Sequence, residues 1–195
     1  MITFNNIIEG LPHRFLNKLN ELKTMIERPD FHPEENCFEH IRIVTNRCIE
    51  FGDPDLIMAA IFHDIHKLDT MKINPKTGWP TSPGHDKWAQ KTIEKNEDVR
   101  EFIRNFGADP DTVAGICGQH MRIHQINQMR PAKQKAMIEL PFFNKLAAFS
   151  AFDDMLVTYS ESRHNAENKF CMANESKLKG ELHPGFLGKH SRNKK

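Results

Sequence analysis

The chain has 195 residues, 38% hydrophobic and 27% charged, with a formal net charge of +1. That length is most simply one domain with a sizeable buried core. A near-neutral balance does not by itself point to a nucleic-acid partner, and no apolar run approaches the roughly 18 residues of a membrane span. The N-terminus, Met1 to Glu9, has neither a basic region nor a small-residue cleavage site, so it does not read as a secretion signal. Four scattered cysteines (Cys37, Cys48, Cys117, Cys171) lack Cys-x-x-Cys spacing and read as reduced thiols of a cytoplasmic protein.

In chain order the pattern is helical nearly throughout. Leu11, Phe15, Leu19, Leu22 and Ile26 recur at three-and-four spacing and predict a helix over 11–28, closing before Pro29. Cys37, Ile41, Val44, Cys48 and Phe51 form a second stripe, stopped by Gly52. Asp53-Pro54 opens a third helix, apolar from Leu56 to Phe62, with Pro54 favourable in its first turn. From Asp69 to Gly84 the composition turns to Asn, Pro, Thr, Gly and Ser, a long loop of the kind that is usually functional or mobile. Helical signals resume over 85–97 and 98–106. Asp109-Pro110-Asp111 caps a helix running to Ile123, and a short basic stretch follows over 131–138. Pro141 begins the last strong helix, carrying Phe142, Leu146, Phe149, Leu156 and Tyr159. No internal repeat and no period-two alternation is present. The expectation is an all-α domain over 1–162, followed by a basic, poorly ordered tail over 163–195. That tail carries eight Lys/Arg against three Glu from Arg163 onward.

His63-Asp64 closes the most apolar helix of the chain, where burial of an unpaired imidazole or carboxylate costs several kcal/mol unless it is hydrogen-bonded or holds an ion. Other helices repeat the anomaly. His120 shares a face with Val113, Ile116, Cys117 and Ile123, and Asp153 lies within the Leu146–Phe149–Leu156 stripe. His40 borders the Cys37–Ile41–Val44 stripe, and His85 shares a face with Trp88 and Ala89. Each alone is explicable as a satisfied core histidine or a capping or ion-paired aspartate. Five helices each presenting such a group match the way helical bundles build metal sites. Imidazole and carboxylate without thiolate suit Mn, Fe, Co, Ni or Zn, or Mg where carboxylates and water dominate. His66 and His124 lie one helical step from these residues, as outer-shell or substrate contacts. His13, His164, His183 and His190 read as surface residues.

The order His40, His63-Asp64, His85, His120, Asp153 resembles the HD superfamily of metal-dependent phosphohydrolases. The likeness is closest to the HD domain of bacterial tRNA nucleotidyltransferases and poly(A) polymerases. It is carried by His32-Pro33-Glu34-Glu35-Asn36-Cys37-Phe38-Glu39-His40, Ala60-Ile61-Phe62-His63-Asp64-Ile65-His66-Lys67, Gly84-His85-Asp86, and Gln119-His120-Met121-Arg122-Ile123 with Gln128-Met129-Arg130, over about residues 31–155. Two positions depart from the pattern: His66 stands where the family usually has Gly, and Asp86 where Glu is common. These 195 residues hold no nucleotidyltransferase domain, so polymerase activity is not carried over. The resemblance implies His40, His63, Asp64 and Asp153 as primary metal ligands. It also implies that His85 and His120 complete a second site, with Asp64 bridging. Six such residues favour two divalent ions over one.

The resemblance further implies attack of a metal-bound hydroxide on the phosphorus of a nucleotide or RNA end, as a phosphodiesterase or phosphatase. Asp64 and Lys67 are then the catalytic residues. Lys67, with Arg122 and Arg130, would neutralise phosphoryl oxygens, although both arginines also fit a solvated helix end. Trp79, in the 69–83 loop, is placed to stack on a base or, equally, to anchor the loop by packing. Two alternatives stay open: a di-iron oxygenase on the same ligands, and a non-catalytic nucleotide- or RNA-binding module with a structural metal. Structural sites are usually thiolate-rich, which argues against the module. No membrane partner is expected, and the oligomeric state is not legible.

Overall fold

A computed structural model of the chain describes residues 2–26, 34 and 36–153. The fold is all-α apart from one small hairpin. The order is α1 (Phe4–Glu9), α2 (His13–Glu21), a 3₁₀ turn (Leu22–Thr24), α3 (Cys37–Phe51), α4 (Pro54–Phe62) and α5 (Lys67–Thr70). Strands β1 (Lys72–Ile73) and β2 (Pro80–Thr81) follow, then α6 (His85–Lys95), α7 (Glu97–Asn105), α8 (Pro110–Ile123), a second 3₁₀ turn (Ile126–Gln128), α9 (Pro131–Ile138) and α10 (Phe143–Asp153).

Helix α4 is the centre. Leu56 through Phe62 are all at most 4% exposed. Each large side chain buried there is worth about 1.5–3 kcal/mol. A helix apolar all round must be covered all round, and α4 is: α3, α8 and α10 pack against it. Its start is capped from within the local sequence. The Asp53 carboxylate accepts from Asp55 N at 2.9 Å, and Pro54 occupies the first turn. Asp109 and Pro110 repeat the device at α8. At the end of α3, Gly52 sits at φ 87°, the left-handed conformation that lets the chain leave the helix.

Helix α8 also packs closely on α6 and α10. A Cβ at Gly118 would fall inside the Gln90 amide, and one at Gly115 inside the Phe142 ring. Small residues at these positions let the helices approach, which brings the histidines they carry within reach of one another.

Two expectations are corrected, for the 11–28 helix and the 69–84 loop, and two helices appear where the sequence reading assigned no element. The 11–28 helix is shorter: Pro12 precedes α2, and the chain tightens into a 3₁₀ turn at Leu22 and extends at Met25. Met25 O then accepts from Cys37 N at 3.0 Å, and Ile26, the last member of the stripe, is 65% exposed. Ahead of α2 lies the unanticipated α1, which buries Phe4 and Ile7. The 69–84 loop contains α5 and an antiparallel pair, Lys72 opposite Thr81 and Ile73 opposite Pro80. The basic stretch over 131–138 is a helix, with Pro131 at its favourable first position. Leu156, Tyr159, His32, Cys171 and the basic 163–195 segment lie outside the described residues.

Among the described residues no helix is long and apolar enough to cross a membrane. The three described cysteines are buried and form no disulfide with one another, and burial pushes the Cys48 and Cys117 thiols up.

Candidate metal centre

The centre forms where five helices converge. His63 caps the C-terminus of α4, Asp64 begins the turn beyond it, and His40 projects from α3. His85 is the first residue of α6, turned inward by Gly84 at φ 80°, which reverses the chain out of the hairpin. His120 lies in the last turn of α8, and Asp153 closes the described part of α10. Arg47 of α3 donates to Phe152 O at 2.9 Å and ties that end of α10 to the core.

Three of the four histidines are oriented in the same way. Nδ1 of His63 donates to Ala60 O at 2.8 Å, that of His85 to Ser82 O at 2.6 Å, and that of His120 to Cys117 O at 2.7 Å. Each acceptor is the carbonyl three residues earlier. In α4, Ala60 O is among the carbonyls a helix end leaves without an intrahelical partner. His40 uses a carboxylate instead: its Nδ1 donates to Glu34 Oε1 at 3.0 Å. A carbonyl can only accept, so in each neutral ring Nδ1 keeps the proton and Nε2 presents a bare lone pair.

Those lone pairs face one another. His40 Nε2 lies 3.2 Å from His63 Nε2, and His85 Nε2 lies 3.2 Å from His120 Nε2. Two bare nitrogens at that distance repel unless a proton or a metal cation lies between them. Asp64 stands between the two pairs. Its Oδ2 is 3.1 Å from His63 Nε2 and 3.4 Å from His40 Nε2, and its Oδ1 is 3.0 Å from His85 Nε2 and 3.6 Å from His120 Nε2. Oδ1 is buried without a well-directed hydrogen bond. Asp153 Oδ1 joins the first pair, 3.1 Å from His40 Nε2 and 3.4 Å from His63 Nε2. The donors thus fall into two clusters, His40–His63–Asp153 and Asp64–His85–His120, each with its ligand atoms within 4.8 Å of one another. Both are nitrogen and oxygen sets that could hold a divalent ion, and an ion would satisfy the facing lone pairs and the orphaned oxygen together.

The electrostatics agree. Burial opposes charge on His63, but Asp64 and Asp153 outweigh it and raise its pKa to about 10. Burial likewise opposes charge on His40, which the Asp153 and Glu34 carboxylates raise to about 8. Protons thereby occupy a place that a cation can take. His120 goes the other way, lowered by burial and by the neighbouring His63 charge. Against burial, His63 and Lys67 hold Asp64 well below the usual carboxylate range, and His124, His40 and His63 do the same for Asp153. Phe149 of α10 lies against His63 and His120, with ring centroids at 5.3 and 6.5 Å, and closes one side of the centre with hydrocarbon.

The other residues picked out from the sequence fall in different places. Lys67 is 5% exposed, with Nζ 2.8 Å from Asp64 Oδ2, inside the centre. His124 donates to Asp153 Oδ2 at 3.2 Å. His66 belongs to neither cluster; its Nδ1 bonds Asp69 and its Nε2 lies 2.7 Å from Thr92 Oγ1. Arg122 is exposed and donates to Gln119 at 2.9 Å, and Arg130 is exposed just before α9. Trp79 lies in the hairpin loop, its carbonyl accepting from Asn74 N at 2.9 Å. None of these three has a described contact with the six converging residues. Glu34 was given no role from the sequence. The only signal was its place in the stretch that ends at His40, and without coordinates nothing says that its carboxylate turns back onto that ring.

The chain is similar to curated relatives each named Multifunctional CCA protein. That of Xylella fastidiosa (strain M23) is 22% identical over 116 residues, covering 58% of this chain and 26% of the relative. That of Cupriavidus necator (strain H16) is 26% identical over 131 residues, 67% of this chain and 30% of the relative. The relative from Vibrio cholerae serotype O1 (strain M66-2) is 25% identical over 126 residues, 64% and 30% respectively. The chain therefore spans less than a third of the length of these relatives. No family model matches it, and no solved structure does.

Proposed function

We propose that the chain is an HD-type phosphohydrolase, a phosphodiesterase or phosphatase that cleaves a phosphoester of a nucleotide or RNA end with one or two divalent ions. The observation that carries the reading is the buried Asp64 carboxylate, set between two pairs of imidazoles whose Nε2 lone pairs face each other at 3.2 Å. The likeness to Multifunctional CCA proteins supports a substrate of the nucleotide or RNA-end class.

In this reading His40, His63 and Asp153 would hold one ion and His85 and His120 a second, with Asp64 a ligand available to either. A divalent ion held there supplies Lewis acidity, lowering the pKa of a water and polarising a phosphoryl oxygen. The chain's own residues do the rest. The Nδ1 bonds to Ala60, Ser82, Cys117 and Glu34 fix the four rings, so no reorganisation is needed as charge develops. Lys67, 2.8 Å from Asp64, adds a positive charge beside the carboxylate that would attract phosphoryl oxygens to the centre. Phe149 keeps water from one flank, which strengthens every charge interaction inside.

The test is to purify the protein, count metal per chain, and assay phosphate release from mononucleotides, cyclic nucleotides and RNA 3′ ends. One or two divalent ions per chain with turnover of one of these classes supports the reading. Stoichiometric iron with consumption of dioxygen, or no phosphoester turnover with any divalent metal, overturns it.

A further inference from the structure

We propose that Trp88, braced by His66, is the platform on which a nucleobase of the substrate stacks beside the metal centre. The inference rests on the phosphohydrolase reading only in taking the metal centre as the place where the phosphate lies.

Trp88 stands three residues after His85 on the same face of α6. Helical side chains lean toward the N-terminus, which directs the indole toward the turn that carries His85. It is 55% exposed, and a single exposed hydrophobe is ordinary by itself. Its support is not ordinary. The ring of His66 lies 5.8 Å from the indole, centroid to centroid, inclined at 61°. His66 is only 6% exposed and spends both ring nitrogens on structure, Nδ1 on Asp69 and Nε2 on Thr92 Oγ1 at 2.7 Å. Asp69 is held in turn by Lys18, with Nζ 2.5 Å from Oδ1. A chain of bonded side chains from α2 through α5 to α6 therefore immobilises one imidazole, and the task left to that imidazole is to hold an indole whose remaining surface faces solvent.

Pre-organisation of this kind lowers the ordering cost of stacking. Every nucleobase offers a π-face, so the platform fits the base of a free nucleotide or the last base of an RNA equally well. Trp79 is a weaker candidate: it is 38% exposed, and among the described residues its ring has no aromatic partner to fix it.

The chain has two tryptophans, so Trp79→Phe leaves Trp88 as the only one. In that full-length, metal-loaded background, fluorescence is titrated with adenosine 5′-thiomonophosphate, which resists hydrolysis, with a short oligoadenylate, and with ribose 5-phosphate. The expected result is quenching by one or both adenine ligands and none by ribose 5-phosphate. The stronger adenine ligand tells a free nucleotide from an RNA end. By calorimetry in the wild-type chain, Trp88→Ala weakens adenine-ligand binding at least about tenfold. It leaves ribose 5-phosphate affinity and metal content unchanged, and Trp88→Phe recovers most of the loss. His66→Ala lies between wild type and Trp88→Ala. Equal weakening for adenine and base-free ligands, or no weakening for either, overturns the proposal. Quenching by adenine in a protein that hydrolyses no phosphoester overturns the functional reading and leaves this one standing. Phosphoester turnover indifferent to Trp88→Ala does the reverse.

Discussion

Asp64→Asn keeps the shape of the side chain and removes its charge, which makes it the sharpest perturbation of the centre. Two effects follow, and they are separable. In the metal-free protein Lys67, 5% exposed, loses a carboxylate at 2.8 Å, and His63 loses one at 3.1 Å. Breaking a buried pair by neutralising one partner costs about 3–5 kcal/mol. For a chain of this size, each kcal/mol moves Tm by about 2–4 °C, so the fall is roughly 6–20 °C. With metal the loss is larger, because Asp64 reaches both clusters and its amide is a poor ligand. Ions present at 100–1,000 times Kd stabilise the wild type by about 2.7–4.1 kcal/mol, and chelation removes that gain. The assay is calorimetric melting of wild type and Asp64→Asn, each with and without EDTA, alongside metal content by mass spectrometry. Wild type should lose Tm on chelation, and the variant should start lower and not respond. A variant that binds the wild-type number of ions and melts lower on EDTA would refute the assignment of Asp64 as the shared ligand.

Three further outcomes are expected. His120→Ala removes a donor from only one cluster, so with two ions bound it should retain about one per chain at His40–His63–Asp153 while phosphoester turnover falls at least about a hundredfold; retention of both ions would count against the pairing. Glu34→Gln leaves His40 in place but takes the charge from its Nδ1 partner at 3.0 Å, so metal affinity should drop about 10–100-fold by titration, and an unchanged affinity would show that Glu34 does not tune the site. The pH dependence should reverse with metal. His40 at about 8 and His63 at about 10 lie above their unfolded value of 6.5, so their protonated forms stabilise the metal-free fold most fully below pH 6.5, and that contribution fades as pH rises through 8 and 10. Metal must displace those protons, so its affinity rises over the same range, and calorimetry at pH 7 in buffers of different ionisation enthalpy should register proton release. Metal uptake without proton release would mean that these two rings are not ligands.

Where a helix begins and ends by local chemistry, the sequence reading agrees with the structure. Asp53-Pro54, Asp109-Pro110 and Gly52 act through caps and backbone preferences that need no distant partner. It ran long over 11–28, because the apolar spacing continues through Leu22 while the backbone does not: a buried Leu22 in a 3₁₀ turn and a buried Leu22 in an α-helix leave the same trace in sequence. The β1–β2 hairpin has two residues per strand, too few for alternation to register. For the site, the conflict between an apolar stripe and an ionisable residue picked out His40, His63, Asp64, His85, His120 and Asp153, and the resemblance assigned them metal-ligand roles as one set. All six fall within the two clusters. Glu34, Asp69 and Thr92 escaped notice because nothing about an acidic or hydroxyl residue in a polar stretch reveals which ring it will meet.

The sequence by itself therefore determined the helical class, the central apolar helix and the residues too polar for where they sit, because periodicity, capping and the cost of burying charge are local properties. Only the tertiary structure decided that Asp64 lies between two imidazole pairs, that every Nδ1 is spent on an acceptor so every Nε2 turns inward, and that His66 supports Trp88 outside the two clusters. Those facts depend on distances between side chains up to 113 residues apart, such as His40 and Asp153, and on close helix approaches such as α6 against α8 at Gly118. No spacing along the chain encodes them.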